Sequence, residues 1–111
     1  MRDEERRAEI ARLNDQLRCV GVGGRIVITS CIAALPLPTI MTIYDAVRNF
    51  DRFNKHNDPY GERDCASLMA AGHHVIWKID YYCLSLRSHA KDPADARWTR
   101  RVLTIMLADE C

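Results

Sequence analysis

Apolar residues recur at helical spacing near the start of the chain. Ile10, Leu13 and Leu17 share one stripe between Asp3 and Arg18, while Arg6, Glu9, Arg12 and Asp15 fall largely on other faces. This pattern predicts an amphipathic helix, helped by Asp3 and Arg7 in the favourable acid-first order four residues apart. Gly21, Gly23 and Gly24 then end it, because glycine makes continued helical backbone unfavourable. The β-branched run Arg25 to Ser30, RIVITS, reads as a strand, and Pro36 and Pro38 close off its extension. A second helical stripe follows through Ile40, Ile43, Tyr44, Val47 and Phe50, with Pro38 suited to its first turn and Asp45, Arg48 and Asp51 placed to face water.

Residues 54–64, NKHNDPYGERD, have turn-forming density and must leave regular structure. Beyond them DCASLMA and HVIWKIDYY flank Ala71 and Gly72, which predicts a hairpin. Alternation along its second arm sends Val75, Trp77, Ile79 and Tyr81 to one face and His74, Ile76, Lys78, Asp80 and Tyr82 to the other. Asp92, Pro93 and Asp95 are arranged to cap a short helical turn, with Pro93 in its first position. The apolar run VLTIMLA after Arg101 is too short for its periodicity to separate strand from helix; its Val, Thr and Ile favour a strand. Together these elements predict an α+β fold over residues 1–111 as a single domain: a small antiparallel sheet covered by two amphipathic helices.

Composition narrows the function classes. With 111 residues and 48% apolar content the chain has material for one core. Sixteen Lys plus Arg against fifteen Asp plus Glu give a net charge of +1, too little to draw the chain onto nucleic acid or an anionic membrane. The charged start, MRDEERRAEIARLNDQ, lacks the apolar run of a signal peptide, and no segment is apolar enough to span a bilayer, so a cytoplasmic protein is expected. Five scattered cysteines without a CxxC pair, Cys19, Cys31, Cys65, Cys83 and Cys111, fit free thiols.

Each candidate chemistry has a plainer counterpart. GVGG precedes its strand, and Ile26 stands where the third glycine of a phosphate-binding loop belongs, so it reads as a helix terminator and turn. Cys65, His73, His74 and Cys83 lack the close ligand spacing of zinc sites, and no metal or other cofactor is expected. Asp58, Glu62 and Asp64 could hold a hard cation or share a proton, but Asp before Pro and Gly also braces its own turn. Lys78 and Asp80 share a strand face with Tyr82, as a hydrolase or nuclease could use them, or they form an ordinary ion pair on a solvated face. Arg97, Trp98, Arg100 and Arg101 make a small patch that RNA could use, without any ribonucleoprotein signature.

Three blocks, FDRFNKHNDPYGERD, IWKIDYY and DPADARWTRRVLTIMLADE, cover much of the chain and resemble the successive blocks of a family of uncharacterised small bacterial proteins. There the loop reads close to NDPYGEHD and the later blocks close to FWKIDYYD and TRVLTIMLASEY. The resemblance implies an accessory protein of the cytosol, often encoded on plasmids and prophages, with no established activity. This chain departs from the pattern at Arg63 (usually His), Cys65 and Ala66 (a Phe-Gly pair), Cys83 (an acid) and Cys111 (Tyr). The expected function is therefore non-enzymatic protein binding. An inhibitor of a host defence system, of the anti-CRISPR kind, is its sharpest form, and a small hydrolase or nuclease is the competing class. The candidate binding residues are Asn57, Asp58, Tyr60, Glu62 and Asp64 in the loop, with Lys78, Asp80 and Tyr82 on the strand.

Overall fold

A computed structural model describes residues 2–110. Cys111 lies outside the described residues; Cys19, Cys31, Cys65 and Cys83 carry free thiols. Helix α1 (Asp3–Asp15) continues through one π-helical stretch, Gln16–Val20, and ends at Gly21 with φ of 80°. Strand β1 (Gly24–Ile28) follows, then a short α2 (Ser30–Ala33) capped by the Thr29 hydroxyl, and α3 (Leu37–Arg48) with proline in its first turn. A long loop leads to β2 (Cys65–Ala70), which turns into β3 (His73–Tyr82). The turn residues Ala71 and Gly72 both have positive φ, 51° and 79°, as a two-residue hairpin with the right twist demands. A 3-10 turn (Ala96–Trp98), β4 (Arg100–Leu107) and a last 3-10 turn (Ala108–Glu110) complete the described chain.

The α+β class holds, and the sheet is mixed where the sequence predicts it antiparallel. Its order is β1-β4-β3-β2. The β2–β3 and β3–β4 pairs are antiparallel, but β1 runs parallel to β4, with Gly24 opposite Arg101 and Ile28 opposite Ile105. A short β-branched run fixes a strand and says nothing of its neighbour; here the helices between β1 and β2 carry the chain across the sheet, so the two edge strands are β1 and β2. Gly24 is required at that pairing, since a Cβ there would lie 2.5 Å from the Arg101 carbonyl oxygen. The chain from Asp92 makes two successive turns where the sequence predicts one. The Asp92 carboxylate accepts from the Arg6 guanidinium at 2.7 Å and from the Ala94 N–H, and the Asp95 N–H closes a turn through Pro93 and Ala94 on the Asp92 carbonyl at 2.9 Å; the 3-10 turn follows from Ala96 and is capped by Asp95.

All helical packing falls on one face of the sheet. Val75, Trp77 and Ile79 of β3, Leu103 and Ile105 of β4, and Ala66 and Ala70 of β2 form the core with Leu17, Ile32, Ile43 and Val47 from the helical segments. Trp77 is its centre. It lies between Ala66 and Ile105 across the neighbouring strands, and Phe50 and Phe53 meet its ring edge-on at 6.2 and 6.1 Å. None of the residues on the opposite face, from Arg25 and Val27 through Val102, Thr104, Ile76, Lys78, Asp80 and Tyr82 to Cys65, Ser67 and Met69, belongs to this core.

Candidate functional site

Within the loop, Asn57 and Asp58 brace backbone. The Asn57 amide donates to the Arg52 carbonyl at 2.9 Å while its oxygen accepts from the Asn54 N–H at 2.8 Å. Asp58 accepts at 3.1 Å from the N–H of Arg63, a residue held at φ of 55°. Tyr60 projects into solvent, with the Arg7 guanidinium 5.3 Å from its ring. Glu62 turns toward the helices: its carboxylate accepts from the Tyr81 hydroxyl at 3.4 Å and its carbonyl from the Asn14 amide at 3.0 Å. Asp64 ties the loop to the sheet, its carbonyl accepting the Ile79 N–H at 2.7 Å.

On the strand, Lys78 and Asp80 form an ion pair at 3.3 Å, and Tyr82 stacks in parallel with His89, whose backbone pairs with it in a single bridge. The loop and this face adjoin through Asp64, whose carboxyl feels both Asp58 and Asp80. Burial first, then those like charges, pushes its pKa above the ordinary carboxylate value. Burial and the Asp64 charge likewise raise Glu62. Thus Lys78, Asp80 and Tyr82 share the uncovered face, whereas Glu62 and Asp64 lie close enough to influence each other and the Tyr81 hydroxyl on the helix-facing side, and Tyr60 is associated with α1. Among the described residues, no three of His, Cys, Asp and Glu are grouped closely enough to hold a metal ion.

Two buried polar arrangements escape a reading of the sequence as stripes. Asn14 and Arg101 meet inside: Arg101 Nε donates to Asn14 Oδ1 at 2.9 Å, and Asn14 Nδ2 donates to the Tyr81 hydroxyl at 2.8 Å. The other Arg101 arm donates to the Pro93 carbonyl. Arg18, also buried, donates to the carbonyls of Val47, Arg48 and Phe50 at the end of α3, and to Asp15, with its guanidinium 4.9 Å from the Trp77 ring centroid. It satisfies orphaned carbonyls at a helix C-terminus, where positive charge is favoured. The signal was present. Asn14 falls between Ile10 and Leu17 on their stripe, and Arg101 alternates with Leu103 and Ile105. These placements also break up the basic patch read near the end of the chain, since Arg101 is interior and Arg97 is held by both oxygens of Asp95.

Cys83 is the other site the strand pattern hides. It opens a tight loop in which Ser85 and Ser88 hydroxyls lie 3.0 and 3.2 Å from its sulfur. Those hydroxyls, followed by the Ser88 and Arg87 N–H groups, bring its thiol pKa down to about 6.

These features define a two-layer α+β domain with one helix-covered and one uncovered sheet face. By comparison with known families, the chain belongs to a family of proteins of unknown function, DUF3768, over residues 28–110. That match contains α2, α3 and strands β2 to β4; α1 and nearly all of β1 precede it, although Asn14 and Arg18 are locked to residues within it. No curated protein and no solved structure matches the chain. No helix among the described residues is long and apolar enough to cross a membrane.

Proposed function

We propose that this chain is a non-enzymatic, cytoplasmic protein-binding accessory protein that engages its partner through the uncovered sheet face and the adjoining loop. The observation that carries this reading is the one-sided packing. Every core residue contributed by β3 and β4 points toward the helices, leaving Lys78, Asp80 and Tyr82 outside the core beside half-buried Ile76 and Val102. A face that combines aliphatic, aromatic and charged groups can supply contact area and orientation together. The plasmid and prophage setting implied by the sequence resemblance makes a host defence protein, such as a CRISPR effector, the partner class in the sharpest form of the proposal. The hydrolase or nuclease alternative draws little from the geometry, because Lys78 is paired with Asp80, Asp58 holds the Arg63 backbone and Glu62 accepts from the Tyr81 hydroxyl.

Capture of the partner from the native host, followed by paired measurements on Tyr60→Ala, Lys78→Ala and Asp80→Ala, tests the proposal. Binding lost at unchanged melting temperature supports the surface. Stability lost in step with binding returns these residues to a structural role, and three variants that fold and bind like the parent place the interface elsewhere.

A further inference from the structure

A cleft of about 650 Å3 opens at the end of the sheet where β1 and β4 begin. Leu13 and Gln16 form one wall, and Leu84 and Leu86 from the loop after β3 form another. Arg25 and Arg100 also line it. They emerge on the same face of adjacent parallel strands, since Arg25 is opposite Val102, two residues beyond Arg100. Both are exposed, and neither makes an ion pair among the described residues, whereas Arg97, Arg18 and Arg63 each have a carboxylate.

Leu86 adds an independent observation. Its φ is 63°, in the left-handed region that disfavours a branched side chain, yet its side chain remains substantially exposed on the cleft wall. Burial in the core therefore does not account for this strained conformation. The cleft also reaches Gly24 and Arg25, the first residues of edge strand β1, whose outer side makes no described backbone hydrogen bond. Extended chains add to such edges through main-chain hydrogen bonds, with side-chain pockets giving selectivity.

We propose that this cleft binds an extended acidic segment of a partner protein, with carboxylates on Arg25 and Arg100 and an apolar side chain against Leu84 and Leu86. Arginine forks match carboxylates, and aliphatic walls suit an aliphatic side chain. A nucleic-acid strand is less well matched, because it calls for a longer basic track with stacking rings, and here Arg97 and Arg101 are already engaged. The proposal goes beyond the sheet-face reading, since the cleft could be filled whether or not a partner covers Lys78 and Asp80.

The probe is a fluorescein-labelled peptide of alternating Glu and Leu, followed by fluorescence anisotropy on the full chain at low salt. Saturable binding is expected, and the double variant Arg25→Glu/Arg100→Glu should weaken it about tenfold or more at unchanged melting temperature. Leu86→Gly should bind more weakly while melting at the same or a higher temperature, because it relieves the backbone strain while removing the wall. Lys78→Ala should bind the peptide like the parent, which separates this site from the sheet face. Absence of saturable binding, binding insensitive to both Arg25→Glu/Arg100→Glu and Leu86→Gly, or equal competition by free glutamate overturns the proposal. Displacement of the peptide by an oligothymidylate at lower concentration also overturns it, in favour of nucleic acid.

Discussion

Arg101 donates from Nε to Asn14 Oδ1 across 87 positions of sequence, fastening α1 to β4 inside the protein. The Asn14 amide nitrogen simultaneously donates to Tyr81 and to the Glu62 carbonyl, so one side chain satisfies groups from two strands and the acidic loop. Asn14→Ala should destabilise the fold by about 2–3 kcal/mol, the scale expected when buried partners are left unsatisfied. Asn14→Leu should not restore it, because Arg101 would still lack its acceptor. Chemical denaturation decides this; a midpoint unchanged in either variant would show that the network adds nothing.

Trp77 should be the most costly single truncation in the core. Its ring is fully buried beneath Phe50, Phe53 and Arg18, and Trp77→Ala should lose about 3–5 kcal/mol. Trp77→Phe should cost much less, since the indole Nε1 is buried without a hydrogen-bond partner and removing it also removes an unsatisfied donor. Equal losses in the two variants, measured by urea unfolding, would contradict this account of the ring.

Cys83 should be the first thiol alkylated at pH 7. Its serine neighbours lower its pKa to about 6, whereas the hydrogen bond to Glu110 raises Cys31 and burial raises Cys65. Site-resolved mass spectrometry during iodoacetamide treatment should give a rate–pH midpoint near that value for Cys83. The depressed folded pKa means that the thiolate's stabilising contribution is present above the ordinary thiol value of about 8.5 and is lost as pH falls through about 6. Cys83→Asp, which restores the acid expected from the sequence resemblance, should retain the loop and remove this titration.

The carboxylates should give stability a maximum on the acid side of neutral. Glu62 and Asp64 have raised pKa values, so the fold gains stability as pH falls through those values toward the unfolded range. Asp92 and Asp95 are lowered, first by their hydrogen bonds to Arg6 and Arg97, and their contribution is lost at lower pH still. In a Cys83→Ser background, which removes the opposing loss from the thiolate, melting temperature should therefore rise as pH falls from neutrality toward the ordinary carboxylate range and fall again below it. In that background, calorimetry on Glu62→Gln should show a smaller rise with the acid fall intact; a Cys83→Ser curve that falls steadily from neutrality would refute this assignment.

Much of this architecture is legible from spacing alone. The alternation around Trp77 places Val75, Ile79 and Tyr81 on the helix-facing side, and Ala71-Gly72 marks the hairpin because the turn requires two left-handed residues. The run through Val102 to Leu107 is a strand, as its β-branched residues favour. What spacing does not convey is partner choice. The parallel partner of β1 depends on a long crossover, and the interior positions of Asn14, Arg18 and Arg101 depend on complementary groups distant in sequence. The setting of Glu62 and Asp64 beside Tyr81 likewise depends on β3, which the loop sequence alone does not place.

The parallel pairing of β1 with β4 also sets an order on folding. The β2–β3 hairpin needs only a two-residue closure and can form early, followed by β4 alongside it. β1, by contrast, has nothing to pair with until β4 is in place, and Gly24 must then find Arg101 across most of the chain. Closing so large a loop is entropically costly before its contacts form, which slows this last step relative to the hairpin. During synthesis, the helices that precede β2 must therefore wait with their apolar stripes exposed until the sheet that covers them has been made.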